Sequence, residues 1–274
     1  MVQRVSISAF SVVSLLLPRT SKRRLTALAA ALACAAALWS SPMLPGGLQL
    51  GDAALGLGRP DLAARQYERV TRWSPFLSIT RRALERSAMV HAVELGNPVR
   101  ARRDLEWLTR LTADPVDRAR LKERVGYLLL EERQPLEAAR LLRESAEACR
   151  HCSQAPLRLA RAAEIAAAHG DPELAHQLFD AVAADWPVWR ARAHVGRAQI
   201  LLRQGRVLEA LALFEDASEH TFDADLQTVA TLGAATCLER LGNLDQALAE
   251  LDEADLPDQV RDTRRRGMTA RSSL

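Results

Sequence analysis

A small residue returns along this chain at Ala63, Ala101, Ala138, Ala175, Ala210 and Ala247, in steps of 38, 37, 37, 35 and 37 residues. Four positions after each stands a large apolar residue: Tyr67, Leu105, Leu142, Phe179, Phe214 and Leu251. Five positions before all but one of them stands a glycine, at Gly58, Gly96, Gly170, Gly205 and Gly242, and Arg133 alone breaks that column. A fixed period between about 20 and 50 residues marks a solenoid, whose units bury their apolar faces on their neighbours. The constraint overrides length, since 274 residues would otherwise allow one or two globular domains. The repeats form one continuous array, and an array of this kind offers surface for binding.

Each unit reads as two helices. Pro60, Pro98, Pro135 and Pro172 follow the glycine column by two residues, where a missing amide hydrogen costs nothing in the first turn of a helix. Asn97, Asp171 and Asn243 precede that turn and can cap it, while the glycines give the preceding helix a left-handed stop. The second helices are predicted over 60–73, 98–111, 135–148, 172–185, 207–218 and 244–254. Apolar residues at helical spacing, such as Leu121, Val125, Leu128 and Leu129, place the first helices between them. The stretch 207–217 is apolar almost all round and predicts an inner helix. Leu244, Ala247, Leu248 and Leu251 form a single stripe, so the last helix reads as its own cap.

With these columns in place the units resemble tetratricopeptide repeats, helix hairpins with small residues at the eighth, twentieth and twenty-seventh positions and a large one at the twenty-fourth. With each glycine as position fifteen, Gly51, Gly126, Ala163, Ala198 and Ala235 fall at the eighth, with Met89 in the second unit. The family's tryptophan at the fourth position is replaced by Gly47, Glu85, Lys122, Leu159, His194 and Thr231. The resemblance implies an all-α, right-handed solenoid of about six hairpins over 45–254. It also implies a groove lined by the first helices, at Arg86, Arg120, Arg124, Tyr127, Arg161, Glu164, Arg192, Gln199 and Arg203. A column of arginines suits an acidic peptide or helix, and a solvated charged face is the plainer alternative.

The amino-terminal part has a different composition. Residues 1–24 form a basic leader ending in Arg19, Lys22, Arg23 and Arg24, and an uncharged run from Leu25 to Trp39 follows. Residues 25–44 read as a transmembrane anchor or signal segment, with the repeats outside the cytoplasm by the positive-inside rule. Retention as an anchor, cleavage after Ala35 or Ala37, and lipidation at Cys34 are its three fates, beside a cytoplasmic protein with an apolar start. The five leader bases are Arg4, Arg19, Lys22, Arg23 and Arg24; subtracting them from 37 leaves 32 bases against 34 acids. The repeats thus lack the basic stripe that nucleic-acid binding needs. Residues 255–274, with Pro257 and the run Arg264 to Arg266, predict a disordered basic tail.

The chain carries no zinc-protease, nucleophile-elbow, phosphate-loop or calcium-loop pattern, so nothing argues for catalysis, a cofactor or a metal. Cys149 and Cys152 lack the second pair of a zinc site. A local disulfide, two free thiols and a redox pair are the readings they leave, and Cys237 reads as core. The expectation is a non-catalytic protein-binding scaffold at a bacterial inner membrane, facing the periplasm and serving an envelope complex. An outer-membrane lipoprotein assembly factor and a thiol-redox or cytochrome maturation accessory factor are the alternatives.

Overall fold

The computed structural model describes residues 43–253 and 258–272. The leader, the apolar run and Cys34 lie outside the described residues. Thirteen α-helices fill the described part: α1 (Met43–Gly56), α2 (Pro60–Trp73), α3 (Leu77–Met89), α4 (Pro98–Leu111), α5 (Pro115–Glu131), α6 (Pro135–Ala148), α7 (Ala155–Ala168), α8 (Pro172–Asp185), α9 (Arg190–Arg203), α10 (Val207–Glu219), α11 (Ala224–Arg240), α12 (Leu244–Glu253) and α13 (Asp258–Ser272). Each packs on the next, so α1 to α12 make six stacked hairpins. First helices also touch one another, α7 against α9 and α9 against α11, which puts them on the inner side of the stack.

Local chemistry sets the helix ends. Asn97 and Asp171 accept hydrogen bonds from the Arg100 and Leu174 amides, both at 3.1 Å, and Asp114 caps α5 by accepting from the Asp117 amide at 2.8 Å. Between helices, Gly58, Gly96, Gly170, Gly205 and Gly242 have φ from 57° to 89°, and Arg133 takes the same left-handed turn at 59°. Arg133 therefore keeps the conformation of the column whose residue type it breaks, at a steric cost glycine does not carry.

The six alanines of the repeat column are buried, and so are the six large residues four positions on. Each large residue supplies roughly 1.5–3 kcal/mol of burial. Four glycines, Gly51, Gly126, Gly196 and Gly233, let the three aromatic rings Tyr67, Phe179 and Phe214 and the side chain of Leu142 approach an adjacent helix closely. A methyl added at Gly51 would overlap Tyr67, and one at Gly196 would overlap Phe179; at Gly126 it would lie 3.1 Å from Leu142.

The structure corrects four sequence expectations. First, the second unit slips register: a π-helical turn, Val90–Glu94, follows α3 and inserts one residue. Ala88, not Met89, is the buried small residue there, Leu84 replaces Glu85 inside, and Met89 and Glu85 are exposed. Second, α10 is buried on one side only, through Ala210, Phe214 and Ala217, while Leu208 faces solvent. Its contacts run to α9 and α11, leaving its outer face uncovered.

Third, the segment expected to be a disordered tail contains α13, and fourth, α12 does not cap itself. Met268 of α13 is fully buried with Ala247 and Leu251, and Arg264 donates to Thr236 Oγ1 at 2.6 Å and pairs with Glu239 at 3.2 Å. Apolar burial at one residue, reinforced by those two polar contacts, orders a segment whose composition alone reads as solvated.

Candidate partner-binding groove

The first-helix face carries three open cavities. One, of about 320 Å³, lies between α3 and α5 and is lined by Arg81, Arg82, Arg120 and Arg124 with Glu85 and Asp117. A second, of about 380 Å³, adjoins it and adds Arg86 and Met89. The third, of about 560 Å³, lies along α7, α9 and the start of α11, and Glu164, Arg192, Gln199 and Arg203 line it. The slipped register explains the first two. A straight count puts the second groove position of this unit on buried Ala83, whereas the π turn puts it on exposed Arg82.

The arginines differ in how far they are already engaged. Arg86 pairs with Asp52, which also accepts the Tyr67 hydroxyl at 2.6 Å. Burial, followed by Asp52, pushes the Tyr67 hydroxyl up to about 12. Arg161 pairs with Glu164 at 2.9 Å, and the Arg192 guanidinium lies over the Trp189 ring at 5.6 Å from its centre. Arg120 keeps only a loose 3.6 Å contact with Asp117. Arg81, Arg82 and Arg124 enter no ion pair among the described residues.

Tyr127 is exposed, and its hydroxyl is raised above its ordinary value by burial first and then by Glu123. The structure thus gathers Arg86, Arg120 and Arg124 at one part of the face and Glu164, Arg192, Gln199 and Arg203 at another, with Tyr127 further along α5 and Arg161 beside Glu164 on α7. Sequence reasoning missed Arg81 and Arg82. Glycine in place of arginine at the sixth repeat position, at Gly196 and Gly233 against Arg124 and Arg161, is the sequence signal for a further feature, the recess at Gly196.

Cys149 and Cys152 form a disulfide across the α6–α7 loop. Cys237 is a free, buried thiol pushed up to about 11 by burial. Among the described residues no cluster of histidine, cysteine and carboxylates could hold a metal ion, and no helix is long and apolar enough to cross a membrane.

The tetratricopeptide repeat family model matches residues 160–224. No curated protein matches the chain. Among solved structures the chain is similar to MamA, at 19% identity over 62% of this chain and 93% of that one, with a TM-score of 0.43. It is similar to YrrB, a TPR protein, at 18% identity over 67% and 89%, with a TM-score of 0.45. It is also similar to pilF of Pseudomonas aeruginosa, at 15% identity over 84% and 97%, with a TM-score of 0.46. At these scores the likenesses carry no functional argument. Residues 160–224 thus match the tetratricopeptide repeat family, and the other described units stack beside them as helix hairpins of the same tetratricopeptide-like kind.

Proposed function

We propose that this protein is a non-catalytic scaffold that holds an acidic segment of a partner protein along its first-helix face. The observation that carries the reading is the cluster on α3 and α5. Arg81, Arg82, Arg86, Arg120 and Arg124 line two adjoining cavities against only two carboxylates, Glu85 and Asp117, and three of the five arginines are unpaired among the described residues. Unpaired guanidinium groups in a concave site favour carboxylate ligands, which can be held by two parallel hydrogen bonds.

In this reading the chain is tethered to a bacterial inner membrane through residues 25–44, and the repeats face the periplasm during assembly or stabilisation of an envelope complex. The Leu25–Trp39 run and the basic residues before it support that placement. The Cys149–Cys152 disulfide supports it too, since such bonds persist in oxidising compartments.

Photo-crosslinkers at positions 124 and 199, with position 208 on the outer face as control, test the groove in cells. Discrete partner adducts from 124 and 199 but not from 208 are expected; adducts only from 208 would overturn the proposal. Protease accessibility in spheroplasts tests the topology, with external digestion of the repeats expected and protection until lysis contradicting it.

A further inference from the structure

The two ends of the groove differ in chemistry, and the difference begins at the sixth position of the repeat. In the second, third and fourth units that position holds Arg86, Arg124 and Arg161, counting the π turn; in the fifth and sixth it holds Gly196 and Gly233. These glycines are occupied from behind. Phe179 presses on Gly196 and Phe214 on Gly233, each ring coming from the second helix of the preceding unit. An arginine at position 196 could not coexist with Phe179 where it stands.

The exchange turns a cationic wall into a recess floored by an aromatic ring. Phe179, Val195, Gly196, Leu226 and Val229 line the 560 Å³ cavity, and Val229 is substantially exposed. Its charged rim is balanced toward acid, with Arg192 and Arg203 against Glu164, Asp223 and Asp225. Arg192 is stacked on Trp189, which leaves the recess less cationic still. The α3–α5 end has the opposite balance, five arginines to two carboxylates.

We infer that the groove is bipolar: it takes a partner segment whose carboxylates sit on Arg81, Arg82, Arg120 and Arg124 and whose large apolar side chain enters the Gly196–Phe179 recess. This rests on the proposed function and fixes the chemistry of the segment and the spacing of its two recognised parts. From α5 to α9 is two first-helix steps, on the order of 20 Å at ordinary helix spacings. An extended segment covers that in about six residues, and a helical one in about thirteen.

The test uses the full chain in detergent and three fluorescein-labelled synthetic peptides, read by anisotropy. The first carries three glutamates and a phenylalanine separated by six glycine and serine residues. In the second, alanine replaces the phenylalanine, and the third has glutamines for the glutamates.

The first should bind about tenfold more tightly than the second, as burial of one aromatic side chain gives, and the third should not bind measurably. Val229→Glu, at a half-open site that leaves the core intact, should remove the advantage of the phenylalanine while leaving the second peptide unaffected. Arg120→Glu with Arg124→Glu should weaken the first two peptides alike. Equal binding of the first and second peptides would overturn the bipolar groove and leave the acidic-segment reading standing. Binding insensitive to the arginine reversals, or none by any peptide, would overturn both.

Discussion

Arg158 Nε donates to Glu123 Oε2 at 2.8 Å, joining the fourth unit to the third through a pair whose side chains are 6% and 19% exposed. Such a pair brings register more than net stability, because desolvation offsets most of its attraction. Removing one partner leaves the other charge stranded. Glu123→Gln should therefore cost about 3 kcal/mol and lower Tm, whereas Arg158→Met with Glu123→Leu should recover most of the loss. A double variant as unstable as the single one, by thermal denaturation, would contradict this account of the boundary.

Arg133 is the one non-glycine among the described residues with positive φ. Arg133→Gly should stabilise the protein by up to about 1 kcal/mol, a rise in Tm of about 2–4 °C for a chain of this size. Arg133→Ala, which keeps the strain, should leave Tm nearly unchanged. Calorimetry of the two variants separates the effect of backbone conformation from loss of the side chain.

Gly196→Ala places a methyl against the ring of Phe179, a buried member of the core. The overlap should cost about 1–3 kcal/mol in chemical denaturation, and Phe179→Leu in the same chain should return part of it. At Gly126 the neighbour is Leu142 at 3.1 Å, a contact a small side-chain shift relieves, so Gly126→Ala should cost less.

Asp104 accepts a hydrogen bond from Ser87 at 2.6 Å and lies partly buried near Glu68, His91 and Arg100. Burial raises its pKa above the ordinary carboxylate range, against the opposing effect of the Ser87 bond. An acid with a raised folded pKa holds its proton more tightly when folded. Its contribution is thus complete below the unfolded pKa of about 4 and is lost as pH rises through the folded value. Asp104→Asn keeps an acceptor for Ser87 and removes the charge. It should raise Tm at pH 7, with the gain shrinking toward pH 4 as the native aspartate protonates; a gain that grows on acidification would contradict the sign.

The hairpins were legible because their determinants are local: proline at the first turn, glycine at the stop, and a small and a large residue four apart. What escaped the sequence depends on neighbours. A π turn shows no residue signature of its own, and by adding one residue before Gly96 it hid Arg82 behind a count that ended on Ala83. The order of α13 rests on one methionine and one arginine finding sites on α11 and α12, which composition cannot register. In place of the family's tryptophan, Lys122 meets Glu144 at 2.8 Å and His194 meets Asp216 at 2.5 Å. Both pairs span the same 22 residues within a unit, so the substitution was visible in the sequence but its polar replacement emerged only from the packing.

The most direct test of the central claim is the binding of a fluorescein-labelled oligoglutamate peptide to the full chain in detergent, compared with the Arg120→Glu and Arg124→Glu double variant. The account predicts saturable binding to the native protein, weakened at least about tenfold in the variant and falling as salt shortens the screening length below about 10 Å. Binding of equal strength to both proteins, or no binding to the native one, would contradict it.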